Sequence, residues 1–357
     1  MRVGILGGGQ LARMLALAGY PLGLEFTILC PAADACAAPL TEHLHAGFDD
    51  RTALQELAAR VDRITYEFEN VPAESVAWLN ERVPVYPPLQ ALATARNRLN
   101  EKNAFNALGV ETAPFMGVDS LDDLRHAISE ISLPAILKTC ELGYDGKGQQ
   151  LLRDPSEAQA AWEAIGGAAA ILEGFVSFER EVSIIAVRNL SGETAFYPLS
   201  ENRHEEGILR FSTSLHQDPM QALAEDYASR VLEHLDYVGV LAIEFFQREG
   251  HLLANEMAPR VHNSGHWTIE GAVISQFENH LRAVLDLPLG STAPTGYSAM
   301  VNLIGETPDP ARILEIPGAH LHLYGKEPRP GRKLGHVTVC AQSVEDLRRR
   351  AAEVPLR

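Results

Sequence analysis

GVLAIEFFQREGHLLANEMAPRVHNSGH, residues 239–266, is the stretch from which the organisation of the chain can be read. Val240–Phe246 is apolar except for Glu244, and Leu252–Met257 is apolar except for Asn255 and Glu256. Both runs predict strands, with a turn at Gly250 between them. A hairpin centred on Gly250 pairs position 244 with position 256. The two-residue period of a strand then puts both carboxylates on one face. Such acids repel unless something positive lies between them. A divalent cation is the natural occupant, because Mg²⁺ takes hard oxygen ligands and is often shared between carboxylates and substrate phosphates. On these residues alone a solvated acidic hairpin stays open as the alternative. The apolar neighbours around each acid favour the metal. Ala258–His266 follows, with Arg260, His262, Asn263, Ser264 and His266, too polar and irregular for a core strand.

Composition narrows the rest. The chain has 357 residues, room for two or three domains, and 46% hydrophobic residues. Acids outnumber bases 47 to 30, a net charge of -17 that argues against a nucleic-acid-binding surface. No apolar run is long enough to cross a membrane. Met1–Gly9 enters a strand directly, without the pattern of a signal peptide. Four cysteines at 30, 36, 140 and 340 have no metal-ligand spacing. A reduced, cytoplasmic protein is expected.

Arg2–Leu6, Gly7–Gly9 and Gln10–Gly19 read as strand, glycine turn and helix, the opening of a Rossmann-like sheet. N–H groups at the helix start could face an anion. No acid follows the second strand where a dinucleotide ribose would need one, so NAD is not expected. Arg63–Tyr66 predicts a strand running into Glu67 and Glu69, candidates for a small polar substrate or for solvent. Val83–Tyr86 predicts a further strand. Leu89–Leu108 predicts one long helix. Leu133–Thr139 is a strand bearing Lys138, followed by ELGYDGKGQQ at 141–150. Gly143, Gly146 and Gly148 there make a loop whose backbone N–H groups could cover phosphates. The strands around Glu173, Glu181 and 193–199 predict an antiparallel sheet. Glu173–Val176 could border an adenine, and Glu181 could bond a ribose. Ser200–Thr213 reads as a surface loop or a substrate wall, and Trp267–Leu285 as mainly helix. Lys326, Arg329, Arg332, Lys333 and His336 cluster near the end of an acidic chain, which points to an anion site. A lysine, a glycine loop and two metal-binding acids imply ATP. A second phosphate cluster implies a phosphorylated substrate. With no kinase or P-loop spacing, a ligase that activates a carboxylate as an acyl phosphate is expected.

These residues resemble the N5-carboxyaminoimidazole ribonucleotide synthases of the ATP-grasp superfamily over nearly the whole chain. The matching pieces are GILGGGQLARM at 4–14, EFENV at 67–71, RLNEK at 98–102, GYDGKGQ at 143–149, FYPLSENRHEEGILR at 196–210, NEMAPRVHNSGHWT at 255–268 and RPGRKLGHV at 329–337. The resemblance implies a mixed α/β and α+β ATP-grasp architecture. A Rossmann-like domain would span 1–96, an ATP-grasp domain 97–290 and a small C-terminal domain 291–357. It implies ATP, a pair of Mg²⁺ ions and bicarbonate, with 5-aminoimidazole ribonucleotide as substrate. A homodimer and a transient contact with the downstream mutase are also implied.

By the same resemblance, ATP would be held by Arg98, Lys138, the loop Gly143, Tyr144, Asp145, Gly146, Lys147, Gly148 and Gln149, the segment Glu173, Gly174, Phe175 and Val176, and Glu181, His204, Asn255 and Glu256. Glu244 and Glu256 would bind metal. Arg260, Asn263, Tyr144 and Lys326 would serve the chemistry, Arg260 and Asn263 by orienting bicarbonate. Gln10, Glu69, Lys326, Arg332 and Lys333 would receive the ribonucleotide, with Tyr144 beside them. Asn97 stands where an aspartate is common, and Cys140–Glu141 where basic residues are, which puts ATP contacts in question. The alternative is a carboxylate–amine ligase or formate-dependent transformylase acting on another ribonucleotide.

Overall fold

The computed structural model describes residues 1–141 and 148–355. The N-terminal unit is a parallel sheet whose strands run Glu42–Leu44, Glu25–Leu29, Arg2–Leu6, Arg63–Tyr66 in spatial order. Helix Gln10–Gly19 covers it with Leu11, Met14 and Leu15 buried. At Gly19 a Cβ would stand 2.3 Å from the Phe26 ring and 3.1 Å from Leu281, so glycine permits this helix to close on both its sheet and the next unit. His280 fixes that junction. Its Nδ1 accepts the Val240 N–H at 3.1 Å, so Nε2 carries the proton and donates to the Thr65 hydroxyl at 2.8 Å. Burial drives the imidazole pKa down to about 4, which keeps the ring neutral.

Two further sheets enclose the cleft. A four-stranded antiparallel sheet runs Phe115–Val118, Ala170–Gly174, Ala135–Thr139, Gln149–Leu152. A nine-stranded antiparallel sheet begins with the hairpin His251–Ala258 and Gly239–Arg248, continues through Arg180–Arg188, Ser200–Glu205 and Ile208–Ser214, and ends with Tyr297–Ile304, Lys333–Ala341 and Ala319–Leu323; Thr194–Phe196 adds to Arg180–Arg188. The C-terminal strands therefore extend the central sheet. One apolar cluster contains Ile5 and Leu15, Ile185 and Val240, and Tyr324, so all three segments share a core.

Several expected elements differ. The 89–108 helix is two helices, Leu89–Arg96 and Arg98–Ala107, broken at Asn97. Asn97 is extended (φ -117°, ψ 114°), and its side chain accepts the Leu99 and Asn100 N–H groups at 3.0 and 3.1 Å. A side chain that caps the backbone competes with helix continuation, which a periodicity count does not see. Trp267–Leu285 breaks likewise into Thr268–Gly271 and Gln276–Val284, because Val273 and Ile274 bond the 291–293 segment. Val273 is exposed and faces no core. Ser200–Ser214 is a hairpin, not a loop. Val83–Tyr86 contributes a single bridge, Ile64 to Val85. Strand Glu42–Leu44 and helix Ala73–Asn80 have signals too short to read.

Aspartate and asparagine cap helices about equally well. Asn97→Asp should leave thermal stability within a few tenths of a kcal/mol. Asn97→Ala should cost about 1 kcal/mol. Equal Tm values for the two variants would show that the cap does not matter.

Candidate active site

The two acids face each other across the hairpin, Glu244 opposite Glu256. The turn itself is Glu249–Gly250, both at positive φ (52° and 80°), a two-residue hairpin turn. Such a turn alone would set Glu244 opposite Asn255. A bulge takes up the difference: Phe245 faces Ala254, whereas Glu244 faces Glu256. Bulges re-aim side chains in this way, and Asn255 and Glu256 both line the cleft with Glu244. Burial, with the charge of Glu256 second, raises the Glu244 pKa to about 7. A carboxyl so destabilised as an anion suits a cation. Among the described residues no group of three or more His, Cys, Asp or Glu side chains is arranged to hold a metal alone. Two carboxylates completed by phosphate oxygens and water fit Mg²⁺.

His262 lies beside them, with Nε2 3.5 Å from the Glu244 carboxylate. Its Nδ1 accepts the Ser264 N–H at 3.3 Å, so the proton sits on Nε2 and points at Glu244. Burial, with Arg260 next, keeps this ring neutral. The sequence reading gave His262 no role. His204 bonds Glu181 through Nδ1. Burial opposes charge on His204, but the Glu181 bond and the nearby acids outweigh it and raise its pKa.

Arg260 is the central cation. Its Nε and Nη2 grip the two oxygens of Glu69 at 2.8 and 3.4 Å, a bidentate pair across the two lobes. Burial pushes the Glu69 carboxyl up, but the guanidinium outweighs it and holds it below its ordinary value. The turn into Arg260 is pinned from behind by Gln276, which accepts the His262 N–H at 2.9 Å and donates to the His262 carbonyl at 2.6 Å. Asn263 exchanges amide bonds with Asn302 at 3.1 and 2.7 Å, which fixes its orientation at the cleft wall.

Lys138 and Arg98 occupy the other side. Arg98 opens its helix, with its N–H on the Cys140 carbonyl at 2.9 Å and its guanidinium on the Thr139 carbonyl at 2.7 Å. Lys138 pairs with Gln149 in register and bonds Glu173 at 3.1 Å. Glu173, expected to border an adenine, does not line the cleft, which leaves the backbone of its segment for that role. It is a buried residue whose carboxylate lies between Lys138 and Lys102. Burial raises it, but the two lysines outweigh that and hold it ionised. The Gly174 and Phe175 N–H groups are already bonded to the Pro114 and Pro134 carbonyls, so an adenine edge there must use other backbone groups. Glu141 is drawn to Arg96 at 3.5 Å, and Cys140 is buried. Gly143, Tyr144, Asp145, Gly146 and Lys147 lie outside the described residues.

A second group of residues meets at the carboxyl end of the parallel sheet. Lys326 bonds Gln10. Arg332 bonds the Glu327 carbonyl at 3.1 Å and approaches Asp34 at 3.9 Å. Lys333 lines the cleft rim. The anion at the glycine turn is the protein's own. Glu67 accepts the N–H of Gly9 and, at 3.0 Å, that of Ala12. A Cβ at Gly7 would stand 2.4 Å from the Glu67 side chain. Glu67 therefore caps the first helix and is not placed to touch substrate.

The chain matches three domain families: the ribonucleotide synthetase preATP-grasp domain over residues 1–96, the ATP-grasp domain over 103–277 and the phosphoribosylaminoimidazole carboxylase C-terminal domain over 298–350. It is 56% identical over 354 residues to the N5-carboxyaminoimidazole ribonucleotide synthase of Pseudomonas aeruginosa, covering 99% of this chain and 98% of that one. It is similar to the crystal structure of N5-carboxyaminoimidazole ribonucleotide synthetase from Thermus thermophilus, with TM-score 0.95, 56% identity and coverage of 99% and 97%. An Aspergillus clavatus structure of N5-carboxyaminoimidazole synthase with ADP and 5-aminoimidazole ribonucleotide has TM-score 0.89, 30% identity and coverage of 98% and 96%.

A metal bound at Glu244 would have to displace the proton that this carboxyl holds up to about pH 7. In the metal-free protein the folded state binds this proton more tightly than the unfolded chain. The group's contribution to stability therefore falls as pH rises from the ordinary carboxylate range to about 7. Mg²⁺ affinity should move the other way and weaken about tenfold from pH 8 to pH 6, with proton release at the lower pH, measured by calorimetry in two buffers. An affinity independent of pH would contradict this.

Proposed function

The chain belongs to the N5-carboxyaminoimidazole ribonucleotide synthase family, and on that premise we propose how its own residues perform the ATP-dependent carboxylation of 5-aminoimidazole ribonucleotide in purine biosynthesis. Bicarbonate attacks the γ-phosphate of ATP to give carboxyphosphate and ADP. Carboxyphosphate loses phosphate, and the freed CO₂ is taken up by the substrate amine. The observation that carries this reading is the placement of Arg260. It is a half-buried guanidinium, held by Glu69, in the same cleft as the Glu244–Glu256 pair and Lys138. A planar fork held in that position suits a flat anion such as bicarbonate or carboxyphosphate.

The remaining roles follow from position for the described residues and from the family resemblance for Gly143–Lys147. Lys138 and Arg98 draw the ATP phosphates toward the end of their strand and helix. By the family resemblance the 143–149 segment would be the part that covers them and keeps water from carboxyphosphate. Mg²⁺, as a pair of ions, would be held by Glu244, Glu256 and the phosphates and would offset the charge gathered there during transfer. His204 and Glu181 hold each other at the nucleotide side. Gln10, Glu69, Lys326, Arg332 and Lys333 take the ribonucleotide, the basic ones its 5′-phosphate, and by the resemblance Tyr144 would join them. Neutral His262 keeps Glu244 oriented without adding charge. Homodimer formation, a cytoplasmic location and transfer of the product to a mutase belong to the same proposal. No helix among the described residues is long and apolar enough to cross a membrane.

Bicarbonate labelled with ¹⁸O should deliver one labelled oxygen to the phosphate released. Unlabelled phosphate, or turnover supported by formate in place of bicarbonate, would overturn the carboxyphosphate route. Arg260→Lys keeps the charge and loses the fork; kcat/KM should fall by about 100-fold or more. A loss below tenfold would remove Arg260 from the reacting anion.

A further inference from the structure

The hairpin's second strand, His251–Ala258, is the last in its sheet. Along its outer edge, among the described residues, a single bridge joins Ala254 to Thr112, with the Ala254 N–H on the Glu111 carbonyl at 2.7 Å. Buried backbone groups on such an edge need other partners. Two of them belong to the residues that flank Asn255–Glu256. The Ala254 carbonyl accepts the Lys102 ammonium at 3.0 Å, and the Met257 N–H donates to the Glu101 carboxyl at 2.6 Å. Glu101 and Lys102 are successive residues of helix Arg98–Ala107, 2% and 1% exposed. A charged side chain is almost never so buried without a specific partner. Here the partners stand on either side of the bulge that sets Glu256 opposite Glu244. Lys102 also reaches Glu173 at 3.4 Å, and Glu173 holds Lys138 at 3.1 Å. One helix turn thus grips the bulge from the edge and touches the acid that places Lys138.

We propose that Glu101 and Lys102 are positioning residues: they clamp the bulge at Asn255–Glu256, so setting the spacing of the two acids, and through Glu173 they tie that spacing to Lys138. The proposal rests on the metal-binding reading of Glu244 and Glu256. Glu101 needs only an oxygen to receive the Met257 N–H, which a glutamine supplies equally. Glu101→Ala removes the oxygen and releases the Met257 side of the bulge, while Lys102 and the Glu111 carbonyl still hold Ala254.

The test is the free Mg²⁺ concentration for half-maximal turnover, read beside the KM for 5-aminoimidazole ribonucleotide. In Glu101→Ala the Mg²⁺ requirement should rise about tenfold or more, while the ribonucleotide KM stays within about twofold. Glu101→Gln should keep the Mg²⁺ requirement within about threefold of the parent. An unchanged Mg²⁺ requirement in folded Glu101→Ala would overturn the clamp, as would equal damage in the Gln variant. Glu256→Gln separates the two levels. If it too leaves the Mg²⁺ requirement unchanged, the metal reading fails first. Should Glu101→Ala not fold, hydrogen exchange in the parent protein decides. The Met257 amide should be among the slowly exchanging ones, and exchange at the rate of an exposed loop amide would sink the clamp.

Discussion

Two carboxylates held opposite each other across a hairpin set the terms for everything around them. Burial, with the charge of Glu256 second, makes the Glu244 anion costly and pushes its pKa up to about 7. Three cations of the cleft are each paired with a different acid. Arg260 is held by Glu69, Lys138 by Glu173 and His204 by Glu181. Each pair fixes a donor in place and limits its freedom before substrate binds. That is the electrostatic preorganisation that phosphoryl and carboxyl transfer require. Such pairs are weak stabilisers of the fold, since desolvation offsets most of their attraction. Their value lies in geometry.

Continuity of the sheet explains how distant segments serve one cleft. The basic 326–333 segment leads into strand Lys333–Ala341, which is hydrogen-bonded into the same nine-stranded sheet as the hairpin that carries Glu244 and Glu256. The N-terminal unit is tied in by His280 and by the Arg260–Glu69 pair. Ligand groups that the chain order scatters from Gln10 to Lys333 therefore rest on a common frame. Scaffold strands position polar groups more closely than loops do.

Much of this was legible in the chain. Apolar runs with single acids predicted the hairpin and its facing pair, because strand periodicity is a local property. The pairing of 244 with 256 was nonetheless reached by centring the hairpin on Gly250, whereas the molecule uses a Glu249–Gly250 turn and a bulge. Bulges leave no mark in the hydrophobic pattern. Asn97 looked like one polar residue within a helix and is a cap between two. The glycine turn promised an anion site and received Glu67 from a strand 58 residues away. Glu173 sat at a strand end like a ligand contact, and only the fold could bring Lys102 against it. Glu67 and Glu173 meet groups remote in sequence, which spacing cannot report, whereas the Asn97 cap is local and escapes because hydrophobic periodicity does not register side-chain capping. Tyr144 and its loop neighbours rest on the sequence alone.

The most direct measurement is ADP release by the purified protein in Mg-ATP and bicarbonate, with and without 5-aminoimidazole ribonucleotide. Strong stimulation by the ribonucleotide, abolished in the Glu244→Gln and Glu256→Gln variants, is the expected result. A rate indifferent to the ribonucleotide would contradict the assignment of substrate. A rate indifferent to both substitutions would contradict the site.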